Sequence, residues 1–171
     1  VDFYIEILPK EAEPQERPVR ISRNGVHTLV ELEPDLISGI TLGNLLGVVQ
    51  AALWLPDYGC FLLHCAYVLH EGKALLLCAP SGTGKSTHTH LWLKYLKGAR
   101  IVNDDKPAIR LIDDKFYACG TPFSGTSPLN ENVCVPLKAI CFIEQGPENK
   151  IERINDTSTI VFKILSQTLR R

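Results

Sequence analysis

The run Ser81-Gly82-Thr83-Gly84-Lys85-Ser86-Thr87 has the residue types and spacing to hold a chain of phosphates. The glycines let the backbone curl so that several N–H groups point at one anion. Lys85 would reach the β- and γ-phosphates, and the Ser86 hydroxyl is a ligand for Mg²⁺. The run follows the apolar stretch Ala74-Leu75-Leu76-Leu77-Cys78 and opens a segment with helical spacing. Strand, loop and helix in that order are the setting of a phosphate-binding P-loop, whose helix start adds free N–H groups and a positive dipole end. The usual first glycine of the pattern is Ala79 here. Alanine resists positive φ, so the loop entry is expected to differ from that of the commonest P-loops. The competing reading is an ordinary Gly-rich turn before a helix, and the strand in front argues against it.

Phosphoryl transfer needs more than the loop: a carboxylate for a metal, a group that positions or deprotonates the nucleophile, and positive charge on the migrating phosphoryl. Asp104 and Asp105 stand nineteen and twenty residues after Lys85, at the end of the short strand Ala99-Arg100-Ile101-Val102. That is the distance of one helix and one crossover, which predicts a strand next to the P-loop strand. Adjacent side chains on a strand point to opposite sides. One acid can therefore hold Mg²⁺ beside Ser86 while the other faces an acceptor. His64 lies between Phe61-Leu62-Leu63 and Cys65-Ala66. By residue type alone it reads as a satisfied core or edge histidine, and its apolar neighbours support that.

Taken together, His64-Cys65-Ala66, Leu75-Leu76-Leu77, Ser81 to Ser86 and Asn103-Asp104-Asp105 resemble the catalytic core of HPr kinase/phosphorylase, and more closely the HPr-kinase-related proteins of bacteria. The resemblance covers roughly residues 55–155. It implies an α/β fold: a mixed-sheet P-loop core of the phosphoenolpyruvate carboxykinase and HPr kinase type. It implies ATP and Mg²⁺ as cofactors, with Asp104 as general base, Asp105 with Ser86 as metal ligands, Lys85 on the phosphates, and His64 near the base. The reaction implied moves a γ-phosphoryl to a hydroxyl of a protein or small molecule. Family kinases are hexameric, so a homo-oligomer is the matching expectation. Gly120-Thr121-Pro122-Phe123-Ser124-Gly125 occupies the place of the family's glycine-rich signature loop but lacks its arginine-glycine opening. That departure keeps two other readings in view: a nucleotide-binding regulatory module without transfer, and a carboxykinase-like enzyme acting on a small acid.

The elements that must position these groups read as follows. Residues 1–55 form a β-rich N-terminal segment, with a strand near Phe3–Ile7, a Pro/Glu-rich loop from Pro9 to Pro18, a hairpin signal at Asn24-Gly25, and one buried helix between Ile37 and Leu55. Residues 56–171 form the nucleotide-binding core. It carries a strand from Phe61 to Leu69, a second from Lys73 to Cys78, and the helix from Lys85 to Lys97 with Leu91, Trp92, Tyr95 and Leu96 as its apolar stripe. A hairpin around Asp113-Asp114 follows, then a strand from Lys138 to Glu144 pairing with Ile151–Ile154, and a helix from Asp156 or Ser158.

Composition bounds the rest. The 171 residues are 45% apolar and 22% charged with net charge −1. That describes a globular chain with a core and no field drawing it to nucleic acid or anionic lipid. The six cysteines form no C-x-x-C pair, which suits buried thiols in a reducing cytoplasm better than disulfides or zinc. The uncharged stretch from Ile37 to Leu55 holds polar residues and glycines, so a helix in a core is expected rather than a membrane span. The chain starts at Val1, has no methionine, and stops within a helix-like pattern at Arg171. Native sequence is therefore expected beyond both ends.

Overall fold

The computed structural model describes residues 4–10, 19–24, 27–125 and 129–169, which fall into two compact units, 1–51 and 52–171. In the first unit, β1 (Tyr4–Pro9) runs parallel to β3 (His27–Leu32), and β2 (Val19–Asn24) pairs antiparallel on the other side of β3. The β2–β3 pairing closes at Asn24 opposite His27. Its turn and the acidic loop 11–18 lie outside the described residues. Alternate residues of β3, Thr28, Val30 and Leu32, are buried, the period-2 pattern of a half-buried strand.

The single helix expected over 37–55 is replaced by short helices α1 (Pro34–Ile37), α2 (Leu42–Val48) and α3 (Ala51–Trp54), then a 3₁₀ turn, Leu55–Tyr58. Local chemistry breaks it. Thr41 accepts a hydrogen bond from Asn44 N–H and starts a new helix, and Gln50 sits at φ 54°. Among the described residues no helix is long and apolar enough to cross a membrane.

The second unit is α/β, built on a seven-stranded mixed sheet in the order β4-β8-β9-β10-β6-β5-β7. Its strands are β4 (Cys60–Leu62), β5 (Ala66–His70), β6 (Lys73–Cys78), β7 (Arg100–Asn103), β8 (Ala108–Ile112), β9 (Lys115–Cys119) and β10 (Cys134–Phe142). Two tight turns set the hairpins. Glu71 and Gly72 take φ 49° and 70°, and Asp113 and Asp114 take 46° and 58°, the left-handed pair that a two-residue hairpin needs. Helix α4 (Lys85–Tyr95) follows β6, and α5 (Thr157–Gln167) starts at Asp156, whose carboxylate accepts from Thr159 N–H at 2.7 Å.

Four sequence expectations change. The strand expected over 61–69 is broken at Leu63–Cys65, because β4 pairs with β8 while β5 pairs with β6 and β7. The acid-bearing β7 is not next to β6, since β5 lies between them. Residues 151–154 form no strand; β10 instead runs parallel to β6 and antiparallel to β9. Of the expected stripe on α4, Trp92 packs against the Ala66, Val68 and Leu77 face, whereas Leu91 and Tyr95 are exposed. The opposite face of the sheet buries Leu63, Cys65, Tyr67, Leu76, Cys78, Val102 and Ile109.

The cysteine reading also changes. Cys119 and Cys134 are bonded to each other as direct partners across β9 and β10. Their separation of 15 in sequence hides a contact that only the antiparallel register creates. Cys65 and Cys78 are buried thiols, and burial pushes the Cys65 thiol well above its usual range. A thiol count on the unfolded, unreduced protein should find Cys60, Cys65, Cys78 and Cys141 reactive, four of the six cysteines. Reduction should lower stability by about 3 kcal/mol, the chain-entropy value for a loop of about 15 residues. Six reactive thiols before reduction would rule the bond out.

Candidate functional site

One sheet edge collects the residues singled out above. β5 is antiparallel to β6 and to β7, with Ala66 opposite Leu77 and Tyr67 opposite Asn103. The start of β5 and the ends of β6 and β7 therefore lie together. His64 precedes β5, the loop 79–84 leaves β6, and Asp104-Asp105 leave β7.

The loop has the backbone its glycines predict. Gly82 and Gly84 lie at φ 80° and 109°, and Thr83 N–H donates to the Pro80 carbonyl at 3.3 Å. Ala79 is buried and has no positive φ, so replacing the usual glycine there causes no strain. A cavity of about 400 Å³ is lined by Ser81, Gly82, Gly84, Lys85, Ser86 and Thr87 of the loop and helix start. His64, Asp104, Asp105 and Gly125 line it as well. Thr83 falls outside this group and lines a neighbouring cavity of about 470 Å³ with Ile143, Glu144 and Gln145.

Lys85 Nζ donates to His64 Nε2 at 3.0 Å. An ammonium has no lone pair, so the ring nitrogen must accept, which puts the neutral imidazole's proton on Nδ1. Asp105 Oδ1 is 3.9 Å from the same Nε2, and Asp105 Oδ2 accepts from Lys106 Nζ. Burial holds His64 below the usual imidazole range, and the Lys85 ammonium pushes in the same direction. Asp105 opposes both, Lys106 reinforces the lowering, and a hydrogen bond from the ring to the Gln167 side chain acts with Asp105. Asp104 has a different partner, its Oδ1 accepting from Gly125 N–H at 2.9 Å. Both acids follow β7 in irregular chain and both line the cavity, so strand alternation does not separate them. The histidine adjoins Asp105 rather than Asp104, the reverse of what the resemblance implies.

Among the described residues no group of three or more His, Cys, Asp or Glu side chains is placed to hold a metal ion. The donors present are a hydroxyl, a carboxylate and room for phosphate oxygens. That set fits Mg²⁺, which commonly binds through one or two carboxylates plus substrate phosphates and waters.

Two residues of the site were not legible as such. Gln167, at the end of α5, accepts His64 N–H on its backbone carbonyl at 2.8 Å and touches the ring with its side chain. Nothing in the sequence signals that, because α5 reaches His64 only through the fold. Asn103 is the other: it stands beside the acids in the sequence, yet its buried amide partners are eighteen and twenty residues away.

No protein-family model matches the chain, and no curated protein matches it in sequence. Among solved structures, the HPr(Ser) kinase/phosphatase from Coxiella burnetii is similar at TM-score 0.38 and 13% identity, over 57% of this chain and 66% of that one. A likeness that weak leaves the functional reading to the residues of the site.

The His64 environment gives a titration test. Because the folded state disfavours the imidazolium, neutral His64 contributes stability above about pH 6.5, the ordinary imidazole value. That contribution is lost as pH falls through the lowered value. Imidazole resonances followed by NMR should place the His64 midpoint below that of a free histidine, and Lys85→Ala should move it upward. A midpoint at the free value, unmoved by Lys85→Ala, would contradict the contact.

Proposed function

We propose that this protein is an ATP- and Mg²⁺-dependent phosphotransferase that moves the γ-phosphoryl to a hydroxyl on a protein or small molecule, as an HPr-kinase-like enzyme. The observation that carries the reading is the gathering of Lys85, Ser86, His64, Asp104 and Asp105 around one cavity at the C-terminal ends of β6 and β7. Binding a nucleotide needs the loop and the lysine, but it does not need a second carboxylate and an imidazole aimed at the same space.

In this reading the backbone of Ser81–Thr87 cradles the phosphates and Lys85 compensates their charge. Ser86 and Asp105 are the ligands for Mg²⁺, which when bound neutralises charge on the β- and γ-oxygens. Asp104, with its own partner on the 121–125 segment, takes the proton from the acceptor hydroxyl. His64 holds Lys85 at the cavity wall with a neutral lone pair. It adds no cation of its own, so Lys85 remains free to move to an incoming phosphate.

Calorimetry with Mg·ATP tests the first half: Lys85→Ala should abolish binding, and equal affinity in both proteins would remove the phosphate site. Turnover separates the acids. Asp105→Asn should weaken Mg·ATP binding by removing a hard oxygen ligand. Asp104→Asn should leave that affinity near normal and slow transfer about 10²–10⁴-fold, the scale of a lost general base. If neither substitution slows turnover, the cavity is a nucleotide sensor and not a kinase site.

A further inference from the structure

Asn103 ends β7 with no exposed surface. Its Nδ2 donates to the carbonyl oxygens of Thr121 at 2.9 Å and Phe123 at 2.8 Å. Its Oδ1 accepts from the N–H groups of Asp105 at 3.1 Å and Lys106 at 2.9 Å. A side-chain amide has two donors and one oxygen with two lone pairs. Asn103 thus spends all of them on four backbone groups from two loops that have no strand ladder of their own. Two further bonds cross between the same loops. The Thr121 hydroxyl donates to the Lys106 carbonyl at 2.7 Å, and Gly125 N–H donates to Asp104 Oδ1 at 2.9 Å. The approach at Gly125 is close: a Cβ there would lie 3.3 Å from either Asp104 oxygen.

We propose that Asn103 is a positioning residue of the site. It clamps segment 121–125 across the acidic pair, so that Gly125 N–H orients the Asp104 carboxylate and the segment forms the acceptor-side wall of the cavity. The functional half rests on the phosphotransfer reading; the clamp itself does not. No other side chain of this size satisfies the same four groups. Aspartate would set an anion against two carbonyl oxygens. Alanine would leave two N–H and two C=O groups buried without partners, each a destabilising loss. The clamp touches neither Lys85 nor Ser86, but two of its bonds hold the backbone of Asp105 and Lys106, so Asn103 bears on both acids, whereas the Thr121 hydroxyl bears on the placement of segment 121–125.

The test is the Gly125 amide proton, read by NMR on the full chain. Removing the charge it donates to, by Asp104→Asn, shifts this resonance. Asn103→Asp should move it in the same direction although Asp104 is intact. Thr121→Val keeps the shape and removes only the hydroxyl bonds, and it should do the same; it decides the matter if Asn103→Asp fails to fold. A Gly125 resonance unmoved by the folded variant overturns the clamp. In turnover, Thr121→Val, which leaves the bond from Asp105 N–H to Asn103 in place, should keep the Mg·ATP dissociation constant within about threefold while the maximal transfer rate drops at least about tenfold. Equal loss of affinity and rate would overturn the positioning role. If wild type binds no nucleotide at all, the phosphotransfer reading fails, and the amide shift still decides the clamp.

Discussion

The second unit depends on one seam. Between β4 and β5 the chain is irregular, and so is the chain between β7 and β8. Yet Leu63 N–H donates to the Pro107 carbonyl and Cys65 N–H to the Asp105 carbonyl, each at 3.1 Å. These bonds continue one antiparallel register from Cys60 opposite Arg110 through to Tyr67 opposite Asn103. The two ends of the seven-stranded order are thereby stitched together and the sheet closes on itself. Closure leaves fewer strand edges unpaired. It also forces two kinked segments to face each other, and these carry His64 on one side and Asp104, Asp105 and Lys106 on the other. The candidate site is the place where a ladder bends enough to turn side chains outward while keeping its backbone satisfied.

The seam explains the electrostatics too. The backbone of residues 63–65 is fixed by three bonds, to Pro107, to Gln167 and to Asp105. Its alternation buries Leu63 and Cys65 and leaves His64 pointing the other way, into the cavity. Lys85, at the first position of α4, reaches the same space and meets the ring at 3.0 Å. A lysine with only solvent around it would sample many rotamers. Here the ring's lone pair gives the ammonium a resting position beside the acids. The imidazole in turn is kept neutral by burial and by that ammonium.

Much of this was legible in the sequence, and the limits have physical causes. The glycine spacing of 82 and 84, the strand in front of it, and the turns at 71–72 and 113–114 are local signals, and local backbone chemistry decides them. Strand order is not local. The β6 run reads the same whether its neighbour is β7 or β5, so the interposed strand was missed. The break at 63–65 was invisible because Phe61 to Leu69 is uniformly apolar, and apolarity does not say which partner each half chooses. The 37–55 segment failed for another reason. Its helical spacing is real, but Thr41 and Gln50 end and restart the turns, and capping outweighs periodicity at that length. Cys119 with Cys134 and Gln167 with His64 are products of register and closure, which no spacing rule anticipates.

Between β9 and β10 the described residues, 120–125 and 129–133, are irregular yet tied down at several points. At its base Cys119 and Cys134 are bonded, Gly120 N–H donates to the Val133 carbonyl at 2.8 Å, and Glu131 N–H donates to the Val102 carbonyl at 2.9 Å. Any Cβ at Gly120 would collide with the Glu131 carbonyl, so the approach of the two ends requires glycine. Midway, Asn103 takes the carbonyls of Thr121 and Phe123. Near the cavity, Gly125 meets Asp104. A loop that only joined two strands would not need a buried amide, a steric glycine and a covalent bond to hold it. Ordering each residue of such a loop costs about 1–2 kcal/mol of backbone entropy. That ordering includes Gly125, the donor to Asp104 Oδ1 at the cavity. The constraints therefore hold the wall of the cavity as well as stabilising the unit, the disulfide included.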